Sequence, residues 1–491
     1  NPLDHFEKKE AKKMDRNTEA RIALRDSRLL YQHLRDRLGE ANTLTALGEL
    51  DARMGRTNEA RTAFDEARTL FASLEDRPGI ASVLVNLGQV EEHLGHNDDA
   101  RRYYGEAIQI YSAIEDLRGQ ATVLNHLGNL EKILSNNNEA RTAYRSAMLI
   151  YKTLHDRLGQ ATVLERLGDL ERVMDRYREA RADYAESRLL YKAIEDRLGE
   201  ANVLYSLGKL ERMSGRTDEA RSAFTEARVL FKALDTPRGE ANVLTGIGDL
   251  ERQLNRSSQA REAYGDAMLL YKGLNDRLGQ ANVLAGLGSL AERLGNHDEA
   301  SLAYGEARLL YKAQNDPLGE ANVIVGLADL AKINNQNTEA RSLYSEALRL
   351  YKTSQSANGE ASALRGLADL ERNLGHNDEA RSLYAQALKE YKLLRNRRGE
   401  ASVLAGMGDL ELKAGRLDKA RDAYSEARLI FKESEDRLGE ANMLYNLGQA
   451  SYTSAPELAR QYLYQAAFLY EQIGRSDSGT KAIDKAKALA R

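Results

Sequence analysis

A spacing of 40 residues governs the whole chain and leaves little freedom in what it can fold into. Gly39, Gly79, Gly119, Gly159, Gly199, Gly239, Gly279, Gly319, Gly359, Gly399, Gly439 and Gly479 follow one another at that interval without exception. Ala20, Ala60, Ala100 and their successors to Ala420 keep the same register. A period of this length demands one supersecondary unit repeated along the chain, each copy contacting its neighbours in the same way. Only the last unit slips, at Ala459-Arg460, and Gly479 restores the register.

Inside a unit the apolar spacing is helical. Ala241, Leu244, Ile247, Gly248 and Leu250 fall on one face of a 3.6-residue helix, and Ala260, Ala263, Tyr264, Ala267, Leu270 and Tyr271 do the same over three turns. Short polar turns such as Gly215-Arg216-Thr217 and Gly295-Asn296-His297 separate the two helices, with glycine suited to a C-cap. Between units stands Asp36, Asp76, Asp116, Asp156, Asp196, Asp276, Asp316 or Asp436, an N-cap three residues before the periodic glycine. Pro237 and Pro317 occupy the first helical position, where a missing N–H costs nothing, and Pro78 lies one residue further in. The pattern predicts helix pairs of about 17 and 19 residues.

Leu207-Gly208, Gly215, Ala220, Phe224 and Ala227 resemble the tetratricopeptide (TPR) signature of small and large residues in a helix-turn-helix. The 40-residue unit opened by Gly199-Glu200-Ala201 is similar to the longer-helix repeats of the Pins/LGN adaptor family and to the arrays attached to STAND-type signalling ATPases. The resemblance implies an all-α, right-handed α-solenoid of about 12 helix-turn-helix repeats. We expect a degenerate N-terminal repeat or cap over residues 1–35, eleven units over 36–475 and a capping helix over 476–491. Where the family usually places an aromatic after Leu-Gly, this chain has Asp51, Glu91, Glu131, Glu171, Glu211, Glu251, Ala291, Ala331, Glu371 and Glu411. Ten residues on, Arg61, Arg101, Arg141, Arg181, Arg221, Arg261, Arg341, Arg381 and Arg421 recur, with Ser301 in one unit. A carboxylate–guanidinium pair stapling each hairpin is the expectation, although Ala331 leaves Arg341 without that partner.

Composition narrows function by subtraction. Of 37 glycines all but five fall in four repeat columns, which leaves almost none for a phosphate-cradling loop. Tyrosine and phenylalanine concentrate in the Tyr104 and Tyr111 columns, where a solenoid must bury a packing layer. Formal net charge is −4 with both signs interspersed, unlike a protein held to nucleic acid by phosphate charge. No apolar stretch approaches the roughly 20 residues that span a bilayer. With no cysteine there is no disulfide framework or thiolate metal site. His93, His96 and His126 are the nearest approach to a metal set, without a matching carboxylate array. We expect no enzyme, no cofactor, no bound metal, no nucleic acid and no membrane partner. A cytoplasmic location is expected, and a start at Asn1-Pro2 suits a processed or excised piece.

Recognition is then written in columns that vary. The resemblance implies that first helices line the concave groove. One column of those helices reads Ala46, Asn86, His126, Arg166, Ser206, Gly246, Gly286, Gly326, Gly366, Gly406 and Asn446. Its neighbour includes Asn125, Tyr205, Arg365 and Tyr445. The five glycines either open space for a partner or allow close packing inside the solenoid. One turn further come Asn129, Asp169, Lys209, Asp249, Asp369, and then Arg172, Arg212, Arg252 and Arg372. Asp169/Arg172, Asp249/Arg252 and Asp369/Arg372 can neutralise each other on one helix, or form a mixed-charge ladder for an extended peptide. A protein- or peptide-binding scaffold is the expectation. The alternatives are a regulatory array from a larger STAND-type ATPase and a self-associating assembler that joins copies through its terminal caps.

Overall fold

The computed structural model describes the backbone of residues 2–489 and the side chains of residues 16–489, and every regular element among them is an α-helix. The chain divides into two compact units, Asn1–Leu170 and Glu171–Arg491. The first holds α1 (Pro2–Leu34), α2 (Arg37–Arg53), α3 (Thr57–Ser73), α4 (Arg77–Leu94), α5 (Asn97–Ala113), α6 (Leu117–Ile133), α7 (Asn137–Thr153) and most of α8 (Arg157–Val173). The second continues with α9 (Tyr177–Ala193), α10 (Arg197–Met213), α11 (Thr217–Ala233), α12 (Pro237–Gln253), α13 (Ser257–Gly273), α14 (Arg277–Arg293), α15 (His297–Ala313) and α16 (Pro317–Ile333). It ends with α17 (Asn337–Thr353), α18 (Ala357–Leu374), α19 (Asn377–Leu393), α20 (Arg397–Lys413), α21 (Leu417–Glu433), α22 (Arg437–Ala450), α23 (Pro456–Gln472) and α24 (Ser476–Ala488). The opening residues form one continuous helix of 33 residues. At the other end Tyr470 joins the core, while Tyr464 and Phe468 stand exposed on α23.

Second helices are as short as first ones, 17 residues in α3 and in α2. The expected two extra residues are lost to a left-handed stop. Glu75 sits at φ 54°, so that its N–H reaches Ala72 O at 3.2 Å and the Asp76 N–H reaches Phe71 O at 3.0 Å. That double bond is a Schellman ending, here built on a non-glycine residue. Gly55 at φ 72° ends the first helix in the same way. Asp76 then caps the next helix by accepting from the Gly79 N–H at 3.0 Å. Ser356 and Asn396 do the same where Asp is missing, whereas Thr236 makes no such bond and Pro237 follows it.

First helices pack on the second helix of their own pair and on that of the preceding one, as α10 does on α11 and α9. Glycines make both approaches possible. A Cβ on Gly79 would lie 2.4 Å from the Phe71 ring behind it, and one on Gly88 would lie 2.5 Å from the Tyr104 ring ahead. The column of five inner glycines has the same cause, since a Cβ on Gly366 would stand 2.6 Å from the Tyr344 ring. Internal packing therefore accounts for those glycines, and no partner is needed to explain them. The Tyr264 ring is held between Gly248 and Gly286, 2.6 and 2.8 Å from where their Cβ atoms would be. Rings buried this way contribute about 1.5–3 kcal/mol each relative to exposure.

The carboxylate–guanidinium pair exists, but it joins successive hairpins instead of stapling one. Arg61 meets Glu91 at 3.1 Å, Arg101 meets Glu131 at 2.6 Å, Arg221 meets Glu251 at 2.8 Å and Arg341 meets Glu371 at 2.6 Å, each across 30 residues of sequence. A second helix points its arginine forward, toward the unit that packs on it. This direction resolves the Arg341 anomaly, because its acid lies in the following unit. It also explains why Ser301 and Ala331 coincide: both members of one junction pair are missing together. The acids are buried, with Glu91 and Glu371 both at 0% exposure. Burial pushes the Glu131 carboxyl up, yet bonds from Arg101 and Asn136 outweigh it and hold the group below the usual carboxylate range.

Candidate partner-binding face

First helices of successive pairs also touch one another: α2 meets α4, α10 meets α12, α12 meets α14, α14 meets α16, α16 meets α18 and α18 meets α20. Second helices make no comparable contacts among the described residues. Within each unit the first helices therefore lie on the shorter arc, which is the concave side of a stack of wedges. Side chains at the three columns read from the sequence stand on or beside this inner face.

Much of its charge is already engaged. The Tyr264 hydroxyl donates to Asp249 Oδ1 at 2.7 Å, Tyr344 to Asp329 at 2.6 Å, Tyr384 to Asp369 at 2.5 Å and Tyr424 to Asp409 at 2.6 Å. Burial pushes the Tyr264 and Tyr384 hydroxyls well above the ordinary phenol range, with the neighbouring Asp249 and Asp369 adding to it, so these rings stay protonated donors. The aspartates of the inner column are thus anchors for the aromatic layer. Where the column holds Gln89 or Ser289, the acid moves one turn along: Tyr104 donates to Glu92 and Tyr304 to Glu292, both at 2.9 Å.

In the first unit, Asn86 donates from Nδ2 to Glu49 at 3.3 Å and lines a cavity of about 500 Å³ with Glu49, Arg53, Gln89 and His93. His126 stacks on Tyr104 at 5.9 Å between centroids and lies 3.3 Å from Gln89. Burial, then the charge of Arg166, holds its imidazole below the ordinary value. Asn129 accepts from the Tyr144 hydroxyl at 2.7 Å. Asn125 Oδ1 and Arg166 Nε are buried without a hydrogen-bond partner, and Asp169 follows on α8. Glu49 and Gln89 were not singled out from the sequence, although they occupy the column that later reads Asn129, Asp169 and Lys209.

In the second unit, Arg172 Nη1 contacts Met213 Sδ at 3.7 Å. Tyr205, Lys209 and Arg212 of α10 face Asp249 and Arg252 of α12. Tyr205 is tilted against Phe224 at 6.1 Å, and Lys209 Nζ lies 5.2 Å above its ring. Burial pushes the Tyr205 hydroxyl up to about 12. Arg252 donates to Ser289 at 2.9 Å and to Asp249 at 3.2 Å. Arg212 comes only to 3.8 Å of Asp249, and its Nε is buried with no acceptor. Further along, Arg365 and Arg372 both meet Asp369 at 3.4 Å, and Arg372 reaches Asp409 at 3.1 Å. Tyr445 receives Lys485 Nζ at 4.9 Å from its ring, beside Asn446 on α22.

The histidines have partners of their own. His93 Nδ1 lies 2.7 Å from Gln89 O and His96 Nδ1 lies 2.7 Å from Glu91. Two groups, Glu91/His96/Asp99 and Glu371/His376/Glu379, bring metal-ligand atoms within 4.8 Å of one another. In each of them the buried glutamate is the one that holds the inter-hairpin arginine. No helix among the described residues is long and apolar enough to cross a membrane.

Solved structures share the helical stacking at low identity. BtubC from P. vanneervenii is 21% identical over 49% of this chain and 90% of its own, with a TM-score of 0.34. The Cut9–Hcn1 hetero-tetramer of the APC/C gives 16%, 96%, 98% and 0.43, and a Rap protein complexed with competence and sporulation factor gives 15%, 67%, 99% and 0.45. No curated protein sequence matches the chain. The tetratricopeptide repeat model matches residues 40–113, 79–153, 159–233, 319–392 and 399–477. With more than half of its length in that pattern and helix pairs stacked at a fixed period, the chain belongs to the tetratricopeptide repeat family.

Proposed function

We propose that the chain is a protein- or peptide-binding scaffold that takes an extended, acid-bearing segment along the inner face of its first helices. One observation carries the reading: Arg212 Nε is buried on that face without an acceptor. A buried donor left unpaired costs about 1–3 kcal/mol, which an acceptor supplied by a partner recovers. A carboxylate from a partner satisfies the guanidinium fork in two parallel bonds. Tyr205, Lys209 and Arg252 around it supply an aromatic surface and further donors. Arg166 Nε, likewise without an acceptor in the first unit, supports the same preference there. Because tyrosines occupy the inner aspartates, selectivity for a basic segment has less support.

The test is to exchange Arg166, Arg172 and Arg212 together for Glu and to compare proteins captured from a lysate with those of the parent. The parent's partners should disappear while helicity by circular dichroism is unchanged. Capture of the same partners with intact helicity would refute the reading.

A further inference from the structure

Hydrogen bonds within the second unit link residues 222 to 257 positions apart. The Arg398 N–H donates to Asp175 Oδ2 at 2.6 Å, and the Tyr177 hydroxyl donates to the other oxygen of the same carboxylate at 3.0 Å. Arg398 Nε meets Asp436 at 3.1 Å. Arg178 donates to Glu435 at 2.6 Å and Arg181 reaches it at 3.3 Å. Further on, Arg475 donates to Gln253 O at 3.1 Å. The turns that follow α8 and α12 thus lie against the turns that precede α20, α22 and α24. After five to six 40-residue periods the row of helices has come round and touches its own edge.

The repeat does not require the residues that do this. The Asp175 position is Gly55, Gly95, Gly215 or Gly295 elsewhere. Tyr177 stands where other units have Thr57, Asn97, Thr217 or Asn337, and Arg178 where they have Asn58, Asp98, Asp218 or Asp298. Three departures fall in one turn, and all three point into the seam. Asp175 and Tyr177 are 7% and 1% exposed, whereas Thr57 and Thr217 are only half-buried.

We propose that this seam is a latch, which closes successive turns of the second unit on one another and opens while the repeats stay folded. Its ion pairs, Arg178 and Arg181 with Glu435, are partly open to water and contribute about 0–1 kcal/mol each, beside single hydrogen bonds from the Arg398 N–H and from Arg475. Salt screens them over about 10 Å at 0.1 M and about 3 Å at 1 M. The cores inside each turn are rings and aliphatic side chains that salt does not weaken, such as Tyr264 and Leu250 at 0% exposure. Apolar contact across the seam includes the approaches of Gly215 to Ile473 and Gly474 to Leu254. The seam therefore gives way before the repeats do. Opening would alter how α10 and α12 are presented to a partner, a consequence that rests on the binding reading above; the latch itself does not.

A cross-link reads the seam without any partner. A Cβ on Gly215 stands 3.9 Å from Arg437 Cβ, within the 3.5–4.5 Å that a disulfide spans. The chain has no cysteine, and the left-handed backbone needed at 215 is already held by Asp175 and Asn255 in the same column. Gly215→Cys with Arg437→Cys should oxidise to an intramolecular disulfide, seen as a reducible gel shift. Adding Asp175→Gly, Tyr177→Thr and Arg178→Asp, which restore residues of the repeat, should slow closure about tenfold or more and raise the radius of gyration, at unchanged helicity. Failure of the first pair to cross-link, or an equal rate with the three reversions, overturns the latch. If the reversions cost helicity, the cysteine pair alone decides in about 1 M NaCl. A rate that falls with salt supports the latch and a salt-independent rate overturns it.

Discussion

Removing Arg341 tests whether the buried glutamates hold successive repeats together. Its guanidinium makes contacts of 2.9, 2.6 and 2.9 Å to the two oxygens of Glu371, which is 0% exposed. Arg341→Ser leaves that carboxylate with His376 at 2.7 Å as its remaining side-chain partner. Breaking a fully buried pair costs about 3–5 kcal/mol. Arg341 is 46% exposed, so water reaches one side of the pair and reduces the loss to about 2 kcal/mol. Arg341→Ser with Glu371→Ala copies the natural Ser301/Ala331 junction, where Ala331 is 5% exposed and packs without charge. The double variant should then lose no more than about 1 kcal/mol, less than the single one. Urea unfolding read together with hydrogen exchange of α17 and α18 amides measures both, since long arrays need not unfold in one step. A double variant less stable than Arg341→Ser would refute the idea that an unpaired buried carboxylate is what the arginine prevents.

Two other perturbations separate packing from propensity and burial from charge. Gly366→Ala forces a methyl against the Tyr344 ring and should lose about 1 kcal/mol, overpacking outweighing the helical gain. Gly265→Ala meets nothing within 4 Å and should gain up to about 1 kcal/mol in the same urea assay; equal effects at both sites would sink the packing account. His126 has its folded pKa lowered by burial and by Arg166, so the native state resists its protonation. Its contribution is intact above the unfolded value and lost as pH falls below it toward the folded one. Urea midpoints at pH 7.5 and about 5.5 should differ more for the parent than for His126→Asn.

The fold was legible because its signals are redundant. Glycine, alanine and aspartate recur at one interval, and each has a local cause that the structure repeats: ring clearance, close packing and capping. The direction of the arginine pairs was not legible. Positions ten residues apart on one hairpin and thirty apart on two are equally periodic, and each reading leaves a mismatch, Arg341 with Ala331 on the hairpin and Arg261 with Ala291 across the junction. Ser301 coincides with Ala291 on its own hairpin and with Ala331 across the junction, so only the packing direction decides between them. The left-handed ends at Glu75 and Glu115 left none, since glutamate does not announce positive φ.

On the inner face, the lesson concerns which variable residues are free to recognise anything. Asp249 and Asp369 vary with their column as a recognition residue would, yet each is bound to a tyrosine that the repeat itself requires. Glu92 and Glu292 show the same requirement being met from another position when the column changes. Variation there is compensated inside the scaffold, so it reports packing. Arg212 stands in the column of Glu92 and Glu292, and its Nε finds no acceptor in the fold. On the function proposed above Arg212 carries selectivity, and the aspartates hold the wall on which it stands.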